Sequence, residues 1–318
     1  MKLVVILNVN PDENINVKIC NDREYTQREL KTILLDGFSG FIENIDFYDN
    51  FEEFKENGYN HLNDFILNFD FGYKSRTRNM NVPAFCENYN IKYFNPDPYV
   101  QVLCQDKFIT NKFAENFEIK TPQNLLVFPH SYRKELLKKF NYPVIIKPNY
   151  ESESIGITQD SIVSNIEQAD YLVHQLFKDF DGILIEEYIE GNEVAITIFG
   201  NKDNLFFEEV ELCFPNEENF TYKAYTSEIK HHVSIEIKKS NYLTEVDIKR
   251  IKQLYHILSP NKLIRVDGRI RNSQFYLIEI NANPGLYPKS VVPITFKING
   301  YSYNEMLKKL FLYVKENM

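Results

Sequence analysis

Short apolar runs alternate with amphipathic stretches through the first hundred or so residues. Residues 3–7 (LVVIL) are apolar without a break, the pattern of a parallel strand buried on both faces. Residues 23–35 space their apolar positions as a helix does, and Gly37 and Gly40 follow as stops. Residues 45–48 predict a second strand, 51–56 a short helix and 64–69 (DFILNF) a third strand. Residues 76–89 read as helical, with Pro83 in the first turn or at a kink because it has no N–H to donate. Residues 91–94 predict a fourth strand. Alternation of this kind predicts an open α/β sheet over this part of the chain.

Further on, residues 108–117 predict a helix and residues 143–148 (PVIIKP) an apolar strand that ends on Lys147. Residues 165–180 place Ile166, Ala169, Leu172, Val173 and Leu176 on one helical face, and Gly182 stops the helix. Residues 183–185 predict a strand, and the alternating strand 193–199 puts Glu193, Ala195 and Thr197 on one face. Residues 243–258 form an amphipathic helix, with Val246, Ile248, Ile251, Leu254 and Ile257 among its apolar positions. Residues 264–271 and 274–280 read as two short strands joined by a polar turn at Asn272-Ser273. Residues 303–315 predict a closing helix. No internal repeat or low-complexity segment interrupts this order.

Composition narrows the function. The 318 residues suffice for two or three compact units with real cores. Hydrophobic residues make up 43% and charged residues 25%, with a net charge of −9, which argues against a general nucleic-acid binder. Any phosphate must therefore be held by locally gathered Lys and Arg. Cys20, Cys86, Cys104 and Cys213 stand far apart with no metal-binding spacing, so reduced thiols in a cytoplasm are expected. The apolar run at the N-terminus is too short for a signal peptide, and no stretch reaches the roughly 18 apolar residues of a membrane span.

The chemistry concentrates in residues 265–290, RVDGRIRNSQFYLIEINANPGLYPKS. A hairpin here brings Asp267, Glu279 and Asn281 toward one end. Their hard oxygen ligands suit Mg²⁺ (or Mn²⁺), which takes one or two carboxylates and completes its shell with phosphates and water. Arg265 shares a strand face with Asp267, where a guanidinium can meet developing negative charge. The bland alternative is a solvated hairpin whose acids face water.

This stretch resembles the metal-binding end of the ATP-grasp ligases, closest to the D-alanine:D-alanine ligase family, which are ATP-dependent carboxylate–amine ligases. The resemblance implies an α/β (α+β ATP-grasp) fold. It comprises an N-terminal open α/β sheet domain (residues 1–103) and two ATP-grasp subdomains (104–182 and 183–318) that sandwich ATP. It runs over almost the whole chain, strongly from Lys107 onward and weakly before Asn68. Within residues 68–107 it matches an Asn, an acid and a Gly before a helix, then a D-K pair, although Asp70 stands where a longer Glu is common.

Several roles follow as implications of that resemblance. Lys107 and Lys147 are the two ATP lysines; on local sequence alone Lys107 reads as an exposed lysine opening its helix. Residues 151–157 (ESESIGI) match a loop that closes over the triphosphate, with Ser152, Ser154 and Gly156 letting backbone N–H groups cradle phosphate. Backbone near Glu187, Tyr188 and Ile189 holds the adenine edge, Glu186 lies near its amino group, and Glu193 accepts the ribose hydroxyls. Lys230 is matched to the γ-phosphate, with Lys223 as the alternative. Pro284-Gly285 allows a sharp turn and close backbone approach, and Ser290 belongs to the second-substrate carboxylate site. Arg265, Lys230, Ser154 and Gly285 make up the catalytic set; Glu153, His231, Arg265 and Ser290 contact substrate. A metal on the neighbouring pair His231-His232 is not expected, because adjacent strand residues face opposite ways.

Two departures concern the first substrate. The family's glycine and serine are Ser152 and Glu153 here, which changes the charge of that site. The loop after the first strand, NVNPDENINV, lacks the family's glycine motif and offers Asp12 and Glu13 instead. The expectation is a ligase that joins two amino acids through an acylphosphate, with room for an L-amino acid, a hydroxy acid or a larger peptide acid. The rivals are a peptide-tailoring ligase with a protein or peptide acceptor, and a non-catalytic ATP-binding protein. The resemblance also allows a homodimer.

Overall fold

The computed structural model describes residues 2–7, 27–72, 75–152, 154–214, 235–258 and 262–317. Three sheets carry the fold. The first contains β1 (Leu3–Ile6), β2 (Ile45–Tyr48), β3 (Phe65–Asn68) and β4 (Lys92–Tyr93) in the order β2-β1-β3-β4, all parallel. Interleaved with them are α1 (Gln27–Phe38), α2 (Phe51–Asn57) and α3 (Asn81–Asn88). The unbroken apolar run of β1 is explained by cover on both faces. Pro83 sits in the first turn of α3, where its missing N–H has no helical partner to lose.

Helices α4 (Pro98–Gln105) and α5 (Lys107–Glu115) follow, separated by the one extended residue Asp106. Asp97 and Asp106 cap them, each accepting from the backbone N–H three residues on. The second sheet is antiparallel: β5 (Asn124–Val127), β6 (Val144–Pro148), β7 (Ile162–Val163) and β8 (Ile183–Glu187) in the order β5-β8-β6-β7. Its core is closed by α6 (Ile166–Leu176), capped by Asn165.

The third sheet holds β9 (Asn192–Phe199), β10 (Phe206–Cys213), β11 (Glu236–Lys239), β12 (Ile264–Arg271) and β13 (Gln274–Asn281), antiparallel in the order β11-β10-β9-β12-β13. On one face, Val194, Ile196 and Ile198 of β9 and Val266 of β12 pack against α7 (Glu245–Leu258) and residues of α4 and α5. The other face carries the charged side chains of the candidate site. Asn272 and Ser273 both have positive φ (51° and 59°), the two-residue turn whose twist matches a tight hairpin.

Two final helices, α8 (Val291–Ile298) and α9 (Tyr303–Glu316), return to the first sheet. α9 buries Met306, Leu307, Leu310, Phe311 and Val314, each worth roughly 1.5–3 kcal/mol on burial. Phe311 meets Phe65 of β3 edge-on at 5.0 Å between ring centres. The first and last segments of the chain therefore share one core.

Most predicted elements recur within a few residues. The first helix runs from residue 27 to 38, later than expected, and residues 8–26 lie outside the described residues. The strand expected at 183–185 continues through Glu187. Strands β5, β7, β10 and β11 and helices α4 and α8 carry no expectation from the sequence. β10 (FFEEVELC) mixes acids with apolar residues because Val210 and Leu212 face the α8 side while Glu209 accepts from Ser240, Tyr242 and Leu243. Cys86, Cys104 and Cys213 are free thiols; Cys20 lies outside the described residues. No helix among the described residues is long and apolar enough to cross a membrane.

Candidate active site

The hairpin β12–β13 sets the geometry. Its register pairs Arg265 with Asn281 and Asp267 with Glu279 across the strands. All four side chains thus share one face and one end. A bulge follows Asp267, where Gly268 lies so close to Phe275 that an added Cβ would stand 2.2 Å from its ring. Arg265 grips Asp267 with two parallel bonds, Nε to Oδ1 and Nη2 to Oδ2, both 2.7 Å. The Asn281 amide donates to Asp267 Oδ2 at 2.8 Å and to Glu279 Oε1 at 3.5 Å. Burial pushes the Asp267 carboxyl up; Arg265 pulls it down and Glu279 pushes it up again, and the net direction is upward.

Lys107 opens α5 and is buried, 5% exposed, which corrects the local reading of an exposed helix-opening lysine. Its Nζ donates to the Glu151 carbonyl and lies 3.4 Å from Glu279 Oε2. One lysine thus bridges the β12–β13 hairpin to the root of the 151–157 loop. Arg78 reaches the same root from the first domain, donating to the Tyr150 carbonyl at 3.0 Å and to Glu151 Oε2 at 2.8 Å. Gln105 donates to the Tyr150 carbonyl as well. In that loop Ser154 has φ 63° and Gly156 φ 75°. An added Cβ at Gly156 would meet Pro148 Cγ at 2.6 Å, so both the turn and the approach require glycine. Ser152 starts the turn by accepting from the Ile155 N–H.

Lys147 answers the question raised by a lysine at the end of a buried strand. Its Nζ lies 2.9 Å from Glu186 Oε1, and the pair is almost wholly enclosed. Asn111 donates to the second oxygen at 3.3 Å. Burial raises the Glu186 carboxyl, and Lys147 offsets that only in part.

Beyond β8 lies the segment expected to hold the adenine edge. The Glu187 N–H already bonds the Gln123 carbonyl at 2.8 Å, and the Tyr188 N–H bonds the Pro143 carbonyl at 3.2 Å. Both donors belong to the sheet and its flank. Glu193 begins β9 opposite Arg269 of β12, whose Nη2 donates to Glu193 Oε2 at 2.5 Å. Burial raises Glu193, Arg269 lowers it, and the net direction is upward. At the far side of the hairpin, Ser290 caps α8 without a side-chain cap bond. Its Oγ would lie 2.9 Å from a Cβ added at Gly285, which shows how closely that backbone passes the hydroxyl.

The structure therefore gathers Lys107, Asp267, Glu279, Asn281 and Arg265 into one linked cluster, with Lys147–Glu186 and Glu193 on the adjoining strands. Glu153, Lys230, His231, Asp12 and Glu13 lie outside the described residues, as do Lys223 and His232. Sequence reasoning missed Arg269, Arg78 and Asn111. For Arg269 the signal was present: Arg265, Asp267 and Arg269 alternate on one strand and must share a face. Arg78 and Asn111 carry no such local signal.

A family model described as D-ala D-ala ligase C-terminus matches residues 115–312. The chain belongs to that family. Among curated members, the D-alanine--D-alanine ligase of Petrotoga mobilis is 26% identical over 247 residues, covering 76% of each chain. That of Fervidobacterium nodosum is 25% identical over 307 residues, covering 91% of this chain and 94% of the relative. The crystal structure of the Bacillus anthracis D-alanine--D-alanine ligase complexed with ATP matches at a TM-score of 0.74 and 18% identity, over 99% of this chain and 98% of that one. The VanG D-Ala:D-Ser ligase of Enterococcus faecalis matches at 0.72 and 19%, over 98% and 99%. Both structures have the fold of this family member, and the matched span includes the hairpin with Arg265, Asp267, Glu279 and Asn281.

The donor set fits a hard divalent cation completed by phosphate. Among the described residues no group of three or more His, Cys, Asp or Glu could hold an ion alone. Two carboxylates and an amide are what Mg²⁺ uses when phosphate oxygens and water supply the rest.

Proposed function

We propose that this protein is an ATP-dependent carboxylate–amine ligase that joins two amino acids by an amide bond. The observation that carries the reading is the register-locked convergence of Arg265, Asp267, Glu279 and Asn281 in a chain of this family. A substrate carboxylate oxygen attacks the γ-phosphorus of ATP; the bond to the β–γ bridging oxygen breaks and ADP leaves. An amine nitrogen then attacks the acyl carbon of the acylphosphate, loses a proton, and inorganic phosphate leaves. The protein's part is positioning and charge stabilisation.

Asp267, Glu279 and Asn281 would hold Mg²⁺, which when bound neutralises phosphate charge. Lys107 and Lys147 face the phosphates, with Lys230 matched to the γ-phosphate. Ser152, Ser154 and Gly156 shape the loop over them. Glu186 and the backbone of Glu187, Tyr188 and Ile189 meet the adenine, and Glu193 the ribose. Arg265 stabilises the charge that develops during acyl transfer, beside the backbone turn at Gly285. Ser290 and the α8 N-terminus meet the second substrate's carboxylate; Glu153 and His231 are the proposed first-site contacts. We also propose the division into residues 1–103, 104–182 and 183–318, a cytoplasmic site of action and a homodimer, both carried over from the family likeness.

Phosphate release with Mg·ATP tests the reading against D- and L-amino acid pairs, dipeptides and hydroxy acids, with mass spectrometry of products and E279A as control. Release that requires a particular pair and vanishes in E279A is expected. Tight ATP binding with no release from any pair would refute it, and point to a macromolecular acceptor or a non-catalytic role.

A further inference from the structure

Arg269 does more than share a strand with the metal ligands. It is buried, 5% exposed, and its guanidinium reaches three separate segments. Nη1 donates to the Tyr188 hydroxyl at 3.0 Å and to the Ile189 carbonyl at 3.1 Å; Nη2 donates to Glu193 Oε2 at 2.5 Å. The guanidinium carbon lies 5.0 Å from the centre of the Tyr188 ring, within cation–π range. One planar fork therefore ties together the segment after β8, the start of β9 and the strand that carries Asp267. Enclosing a guanidinium costs several kcal/mol unless its donors are met in this way. Gly191 tightens the same junction, since an added Cβ there would stand 1.9 Å from the Ile270 carbonyl oxygen.

We infer that Arg269 is the positioning residue for ribose recognition. It holds Glu193 by Oε2, which fixes the plane of the carboxylate and presents Oε1 to the nucleotide's diol. It also fixes the Ile189 segment, where the base edge lies, at a set distance from that carboxylate. The choice of a ribonucleotide over a deoxynucleotide then depends on Arg269, a residue that need not touch the nucleotide. This rests on the ribose reading of Glu193 given above.

The test is calorimetric binding of ADP, 2′-deoxy-ADP and 3′-deoxy-ADP to the full chain, wild type against R269M, R269Q, R269K and E193A, with thermal melts of each. R269M and R269Q should bind ADP about 10-fold more weakly and bring the ADP-to-deoxy-ADP ratio close to one. R269K keeps a cation beside Glu193 and should recover part of that ratio. In turnover, KM for ATP should rise more than kcat falls. A wild-type ratio in R269M, with E193A having lost it, overturns this inference alone. A wild-type ratio in E193A overturns the ribose reading itself. If R269M does not fold, R269Q decides on the same terms.

Discussion

Two charged clusters lie on neighbouring sheets and are built in opposite ways. The Lys147–Glu186 pair is closed: its side chains are 4% and 2% exposed, one cation faces one anion, and Asn111 takes the second oxygen. The hairpin cluster is open: Arg265 and Asp267 are 16% and 17% exposed and Glu279 is 29% exposed. Its Glu279 also raises the cost of ionising Asp267, Glu186 and Glu193. A closed pair is demanded by the fold around it. The open cluster keeps two carboxylates close together and partly exposed, although Arg265 and Lys107 pair with them. Removing one charge should therefore cost more stability in the closed pair than in the open cluster.

The largest expected effect sharpens that contrast. K147M leaves Glu186 buried without its cation and should cost about 3–5 kcal/mol of unfolding free energy, with most of it recovered in K147M/E186L. A loss below about 1 kcal/mol in the denaturant titration would break the comparison. E279Q comes next. It should lower turnover by about 100-fold or more through loss of phosphate charge neutralisation. In the same variant, the metal- and nucleotide-free protein should melt at or above the wild-type temperature. A clear fall in melting temperature would mean that Glu279 is held for the fold, through Lys107, and not for the site.

The smallest effect concerns a charge in neither cluster. Lys262 donates to the Tyr93 carbonyl at 2.8 Å and lies 4.8 Å from the Tyr93 ring centre. Burial still pulls its ammonium down to about 8, against the attraction of Asp97 and Glu87. Its folded value is depressed, so its contribution to stability is present above the ordinary lysine value and is lost as pH falls through about 8. K262M should therefore gain about 1 kcal/mol at pH 7, and the gain should shrink as pH is raised from about 8 toward 10. Melts across that range read it directly, and a pH-independent difference would discard the account.

Legibility of the site followed the range of the contacts. Asp267, Glu279 and Asn281 could be placed from the sequence because a two-residue turn links their strands, so pairing them needs only local register. Lys147 was legible as a problem, a charge on a buried strand, but its solution was not: Glu186 is 39 residues away. The partners of the Glu187 and Tyr188 N–H groups were hidden for the same reason, because Gln123 and Pro143 lie on distant segments. Arg78 was invisible, since its partner Glu151 is 73 residues away and nothing in RTRNM announces it.

By itself, then, the amino-acid order determined what short-range physics controls: the periodicity that makes β1, α6 and α7, and the tight turn that pairs β12 with β13. It also determined which hard oxygen donors share a strand face. Tertiary structure alone decided how the charges pair across segments, that α9 completes the core of the first sheet, and that Arg269 joins three segments near the metal hairpin. The physical reason is desolvation. A side chain's charge costs little in the extended chain, and only packing takes it out of water and obliges it to find a partner, wherever along the chain that partner lies.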